Sequence, residues 1–449
     1  MGSKALPFRS HAQTLAYRVS VVTGLISRHR RLRFCPVRQV NREVTVPRRS
    51  AWRVGRFLVL LVTTAAGLGL FMPLPGARGE RWMAPVFLES APLTCLDTAL
   101  TDYANSGSGW TGGDSTWSAW LPDGRELFVF SDTFLGPITP PTRPPDAAFV
   151  HNSFVVRDAG GRWSTIVGGT ADRPAALVEP TDPAHWFWLG AATYIGGALQ
   201  VPLTEWRSTG PGPLDFALVG SSLARFDIRD LRARSSITLL PRSRDVQWGQ
   251  WVQPDGGWTY VYGVEAHGDK KYLHVARIAG DDLRQAFSYW TGRGWSSSEP
   301  DSIRVTDGIS AELSVHRLRD GTYMLTTMQG GRGFSDRLVG RFGPSPTGPF
   351  GPATTLYLTP ESGSSGLYRD ADVYTYNAHV HPEYSTATRL VISYDVNSLD
   401  TSPGGDVYRQ VSIYRPRFIV VSLRWNGDGG SEARPSQGAY LPDPRQPCM

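Results

Sequence analysis

The chain reads as an all-β protein, a five-bladed β-propeller preceded by an N-terminal signal-anchor segment, and three observations carry that reading. Gly (48) and Pro (34) are frequent, Trp (15) and Tyr (17) are abundant, and only 19% of the 449 residues are charged. Such a composition suits many short strands joined by tight turns and leaves little room for long helices. A hairpin pattern recurs along the chain at even spacing. One sharply apolar run follows an arginine-rich start.

The recurring unit is a strand, a tight turn, and an aromatic or β-branched strand that ends on a polar residue. It appears as DSTWSAWLPDGRELFVFSD (114–132), WFWLGAATYIGGALQVPLTEW (186–206), VQWGQWVQPDGGWTYVYGVE (246–265) and AELSVHRLRDGTYMLTTMQ (311–329). A looser copy, YNAHVHPEYSTATRLVISYD (376–395), replaces the Asp-Gly turn by a longer loop. Asp-Gly and Gly-Gly between alternating apolar runs mark hairpins. Each hairpin is followed by more strand-like sequence, which makes about four strands per unit and about five units, the arithmetic of a propeller. A β-sandwich with fortuitous similarity fits the even spacing poorly. The fifth unit lacks a last strand, and APVFLESAPLTCL (84–96) is expected to supply it and close the ring. The propeller is thus placed at 84–423, and the polar, Gly-rich tail 424–449 is expected to be disordered.

Residues 1–56 hold Lys4 and twelve arginines against the single acid Glu43, a local charge of +12 within a total of +6, so the rest of the chain carries −6. A mildly acidic folded part has no electrostatic footprint for phosphate backbones, and no nucleic-acid partner is expected. From Phe57 to Phe71, extended by Met72, Pro73 and Leu74, the chain is apolar and uncharged. About 15–18 residues is short for a span and typical of a signal-peptide core. With Arg48, Arg49, Arg53 and Arg56 on its cytoplasmic side, segment 57–74 sends the rest across as a transmembrane anchor or a removed signal peptide. Residues 1–56 are then either a basic cytoplasmic segment or sequence upstream of the true start. The expected location is outside the cytoplasm, membrane-anchored or secreted. Cys95 and Cys448 lie at the two ends of the exported part and either pair or stay as two thiols.

In a propeller the first strand of every blade lines the central channel, so residues opening the hairpins converge on one end of it. These are Asp114, Trp186 to Trp188, Gln247 with Trp248, Glu312, and Asn377 with His379. Carboxylates from different blades above aromatic rings are what glycoside hydrolysis needs, since one protonates the leaving oxygen while another acts as base or nucleophile. Asp132, closing the second strand of the first copy, would raise the pKa of Asp114 by like-charge repulsion. The candidate catalytic residues are Asp114, Asp132 and Glu312. The candidate substrate-binding residues are Trp110, His151, Asn152, Trp186, Trp188, Trp248, Asn377 and His379. Each carboxylate also has a structural reading: Asp114 and Asp132 as turn-closing groups, Glu312 as the partner of a buried Arg. The histidines match no zinc spacing, no metal ligands are assigned, and no cofactor is required, although a structural calcium ion in the channel is compatible with such a fold. There is no phosphate loop, paired-Cys motif or nucleophile elbow. The chain is expected to act as a monomer on a polysaccharide.

The strings WTGGDSTWSAWLPDGRELFVFSDTFLG (110–136), VHNSFVV (150–156), ISAELSVHRLRDG (309–321), SPTGPF (345–350), YNAHVHPE (376–383) and LVISYDVNS (390–398) resemble the actinobacterial domain-of-unknown-function family 4185. That resemblance implies a propeller glycosidase of the arabinanase and β-xylosidase type, with endo-D-arabinanase activity in some members. It implies Asp114 and Asp132 as the leading catalytic acids, and Glu312 at the usual place of the general acid. One departure is plain: WFWLGAAT offers no carboxylate where the arabinanase type has an acid opening its second blade. The function expected is hydrolysis of furanose-rich, arabinan-type envelope polysaccharide, with a non-catalytic carbohydrate-binding or scaffold propeller as the alternative.

Overall fold

The computed structural model describes residues 84–240, 245–331 and 333–425. The basic segment 1–56, the apolar segment 57–74, Cys448 and the tail from 426 lie outside the described residues. Among those described, no helix is long and apolar enough to cross a membrane.

The described chain is all-β, built on five antiparallel meanders. The first sheet orders Trp117–Trp120, Glu126–Phe130, Ser153–Arg157 and Trp163–Ile166; the second orders His185–Leu189, Ala198–Ser208, Phe216–Asp227 and Asp230–Leu239. The third runs Val246–Asp255, Trp258–His267 and Lys270–Ala279 before two short strands, and the fourth runs Leu313–Arg317, Tyr323–Met328, Arg337–Gly343 and Thr354–Leu358. The fifth orders Val373–Val380, Arg389–Ser398 and Pro416–Arg424, and its outer strand is Val86–Pro92. That last pairing, Val86 opposite Arg424 through Pro92 opposite Ile419, ties the two ends of the described chain together. The expected missing strand is therefore in place. First strands of the third and fourth sheets, and of the fourth and fifth, pack against one another, Ala198–Ser208 of the second sheet packs on the first strand of the third, and the fifth sheet meets the first through the stacked rings of Trp117 and His379.

Turn chemistry sets the registers. Asp255 pairs with Trp258, so the third hairpin turns on Gly256 and Gly257, both at positive φ (59° and 82°), rather than on Asp255-Gly256. Ile195 pairs with Ala198 around Gly196-Gly197 in the same way. Two adjacent left-handed residues are the two-residue turn whose twist matches that of the strands, and Gly takes them at no steric cost.

Only the beginning of segment 84–96 is strand. Thr94–Asn105 is an α-helix that buries Leu96, Leu100, Tyr103 and Ala104, a spacing of four, three and one that keeps one face apolar. Asp97 on this helix accepts the Phe418 backbone N–H at 2.9 Å, which docks the helix on the fifth sheet. Burial pushes the Asp97 carboxyl up from 3.8 to about 7, against the lowering pull of that hydrogen bond and of Arg417. A raised carboxyl pKa means that the folded state holds its proton to higher pH than the unfolded chain does. Its contribution to stability is whole below pH 3.8 and lost as pH rises towards 7. Asp97→Asn keeps the acceptor and removes the charge. We expect unchanged melting near pH 4 and a gain on the order of 2–4 kcal/mol at pH 8, read from thermal unfolding at the two pH values.

Candidate active site

Strand Trp110–Gly113 runs into the first strand of the first sheet through Asp114, Ser115 and Thr116. Gly112 lies against the backbone oxygen of Tyr414, where any Cβ would collide, so this glycine lets the segment approach Tyr414 closely. Ser115 and Thr116 then take positive φ (72° and 47°), which for a β-branched threonine is a true outlier. Strain of this kind costs about 1–3 kcal/mol per residue and persists only where its surroundings over-determine it. Asp395 supplies that restraint: one oxygen accepts the Ser115 N–H at 2.8 Å and the other accepts the Thr116 hydroxyl at 2.7 Å.

Asp395 pairs across the fifth sheet with Tyr376, which places both side chains on one face. The Tyr376 hydroxyl donates to Asp114 Oδ2 at 2.6 Å, and the Tyr414 hydroxyl donates to the same oxygen at 3.1 Å. Asp114 Oδ1 is buried with no protein partner. On the other side, the Ser115 hydroxyl donates to Glu312 Oε1 at 2.7 Å, and Glu312 Oε2 is likewise buried without a partner. Three carboxylates from the first, fourth and fifth sheets therefore meet around one strained tripeptide. Asp114 and Glu312 each keep one oxygen without a protein partner, while both oxygens of Asp395 are held.

Their ionisation is coupled. Burial pushes Asp114 well above the usual carboxylate range, and the charges of Asp132 and Asp395 add to this. Burial, then Asp395, pushes Glu312 up. Asp395 itself is pushed to about 7 by burial, despite its hydrogen bonds from Thr116, Ser115 and Asn377. Three such groups cannot all ionise together near neutrality.

The rims are aromatic. Asp132 Oδ1 receives Trp188 Nε1 at 2.9 Å and lies 2.8 Å from His151 Nδ1, while the His151 ring stacks on Trp186 at 5.1 Å. Trp186 Nε1 has no protein partner. Elsewhere, Phe334 stacks on Tyr374 at 3.7 Å and lines a cavity of about 690 Å³ with Gln329, Asp336 and Asp372. The Tyr374 ring lies 5.2 Å from that of Tyr376, whose hydroxyl holds Asp114, which puts this cavity near the carboxylates.

Of the residues singled out from sequence, Asp114, Asp132 and Glu312 come together, with His151, Trp186 and Trp188 beside them. Asn377, at φ 56°, hydrogen-bonds Asp395. Four others are corrections to the binding set. Trp110 is fully buried against Phe130, and Trp248 is buried with its Nε1 donating to Glu299 at 2.8 Å. The Asn152 amide is spent on the backbone of Val178 and Phe187. His379 is buried beneath the site, its Nε2 on the Thr116 carbonyl at 3.1 Å and its Nδ1 3.9 Å from Glu312. Burial drives the His379 pKa to about 3, so it is a neutral positioning ring. Sequence reading missed Asp395, Tyr376, Tyr414 and Phe334. For Asp395 the signal was in the repeat, because the looser fifth copy ends on an acid as the first does.

For a structural calcium, the described residues bring together one group of three acids with ligand atoms in mutual reach, Asp370, Asp372 and Asp406. These belong to connections of the fifth sheet, and Asp406 is already engaged by Ser398 and Arg409.

An all-β chain with such a carboxylate centre can be set beside known proteins. The chain belongs to the family described as Domain of unknown function (DUF5005), whose model matches residues 97–425. This overturns the resemblance to family 4185: the strings that carried it are mostly strand–turn–strand sequence, which unrelated hairpin repeats share. No curated protein matches the chain. The crystal structure of a "putative hydrolase" from Bacteroides ovatus ATCC 8483 shares the fold at a TM-score of 0.60 and 22% identity, covering 74% of this chain and 90% of that one. More distant likenesses include an α-L-arabinofuranosidase from Podospora anserina in complex with cellotriose (TM-score 0.39, 12% identity, 71% of this chain and 93% of that one). Another is a xylan β-1,4-xylosidase from Bacillus halodurans (TM-score 0.42, 12% identity, 72% and 54%).

Proposed function

We propose that the described unit is a five-bladed β-propeller and a glycoside hydrolase, with Glu312 as general acid, Asp114 as base or nucleophile, and Asp395 as the positioning group between them. The observation that carries this reading is the meeting of three carboxylates around Ser115 and Thr116. The roles follow from their surroundings. Two phenolic hydroxyls converge on Asp114 Oδ2 and favour its ionised form. Glu312 has one hydroxyl partner, and burial raises its carboxyl as it raises that of Asp114, so the two roles are assigned from the number of hydroxyl donors each receives. Asp132, already held by Trp188, adds charge beside Asp114 and orients the aromatic rim. Aromatic walls suit the apolar faces of sugar rings.

A furanose-rich, arabinan-type polysaccharide is the first substrate to test, with arabinogalactan and xylan beside it. Export with a membrane anchor belongs to the same proposal and rests on the charge step at Arg56 and the apolar run after it. The full-length chain in detergent, incubated with each polysaccharide, should release new reducing ends from at least one. Absence of release from all three, with intact folding, would remove the enzyme reading. If the Phe334–Tyr374 stack is a sugar platform, Phe334→Ala should raise KM about tenfold with kcat nearly unchanged, the pattern of lost uniform binding.

A further inference from the structure

The first strands that bring Asp114 and Glu312 together continue past them into a second cavity, which the hydrolytic reading does not use. This cavity, of about 380 Å³, is lined by Trp120, Trp251, Gln253 and His316 on the first strands of the first, third and fourth sheets, by Tyr194 on the short strand Thr193–Ile195 of the second, and by Glu383 just after the first strand of the fifth. A layer of rings separates the two ends. Trp117 stacks on His379 at 3.8 Å and lies 6.2 Å from Trp251, so rings from the first, fifth and third sheets meet between carboxylates and cavity. Trp117 and His379 are each 1% exposed.

The lining has a definite chemistry. Among the described residues it includes no lysine, arginine or aspartate, and its one carboxyl and one imidazole each keep a polar atom without a protein partner, Glu383 Oε1 and His316 Nδ1. Burial holds Glu383 up to about 7 and His316 down to about 4, which leaves both uncharged between those values. The Ser118 hydroxyl, near enough to Glu383 to oppose the rise of its carboxyl, is paired with His381 Nδ1. Trp120 is 40% exposed at the mouth. An ion would find no counter-charge here. The two unpartnered atoms are shut off from solvent as they stand, and an apolar ligand would leave them unsatisfied, whereas hydroxyls reaching either side chain would give it a partner. A ring with hydroxyls on its edge and an apolar face satisfies both, and the volume lies within the usual range for small-ligand pockets.

We propose that this cavity is a second, non-catalytic site for a neutral sugar residue, with Trp120 stacking on it and Glu383 and His316 hydrogen-bonding its hydroxyls. The site does not depend on whether the carboxylate end hydrolyses anything. It would hold a glycan end or branch on the side of the chain away from the catalytic centre.

The test is a calorimetric titration of the full-length chain carrying Asp114→Asn, with xylotriose and with arabinotriose as probes. We expect two binding events per chain for at least one probe. Adding Trp120→Ala, or separately Glu383→Gln, should remove one event or weaken it at least tenfold while leaving the other. One event that either change removes would support this site and count against sugar binding at the carboxylates. One event that neither change affects, or no binding of either probe to the folded chain, would overturn the proposal.

Discussion

Glu312→Gln should abolish release of reducing ends from polysaccharide while leaving the chain folded and able to bind it. The amide keeps its oxygen on the Ser115 hydroxyl, now 2.7 Å from Oε1, so the local geometry survives. What is lost is the proton that the leaving sugar oxygen needs, and general acid catalysis contributes about 10²–10⁴-fold. A substrate whose leaving group departs without protonation separates the two roles. On an aryl glycoside with a nitrophenolate leaving group, Glu312→Gln should recover most of its activity, because that oxygen leaves as a stable anion. Asp114→Asn should recover none, since attack on the anomeric carbon is needed for any leaving group. Equal losses for both variants on both substrates would contradict the assignment of Glu312 as acid.

Four of the hairpins were legible because Asp-Gly and Gly-Gly turns announce themselves, the fifth from its strand pattern around a longer loop, and the strand at 86–92 as the piece the fifth unit lacked. The helix Thr94–Asn105 was not, although Leu96, Leu100, Tyr103 and Ala104 carry its apolar face in plain view. Reading 84–96 as one strand hid its start. The tryptophans show a deeper limit. In a strand, side chains alternate between faces, so one irregularity in register reassigns every residue beyond it. Such shifts fall between Trp110 and Gly112, and between Trp248 and Trp251, and both Trp110 and Trp248 ended in the core rather than at the site. Asp395 was passed over because it sits in a second strand, and only its cross-strand pairing with Tyr376 turns it towards Ser115 and Thr116. Positive φ at two non-glycine residues leaves no mark in a sequence at all.

Asp395→Asn is expected to move the pH profile of hydrolysis as well as lower its height. The substitution is mild in geometry: the asparagine oxygen can still accept the Ser115 N–H, and the Thr116 hydroxyl can turn to accept from the new amide. The electrostatic change is large by comparison. Asp395 titrates near pH 7, and above that its charge opposes ionisation of both Glu312 and Asp114. With that charge gone, both pKa values fall. Glu312 then gives up its proton at lower pH, so the alkaline limb of kcat/KM moves towards acid. The Asp114 carboxyl, which the Asp395 charge also holds up, moves in the same direction. At pH 8 the variant should lose about 10²-fold, and at pH 5 clearly less. A residue that only braced the strained segment would lower the whole profile without displacing either limb. An unmoved alkaline limb in a folded Asp395→Asn chain would therefore show that Asp395 acts on the site through shape rather than through charge.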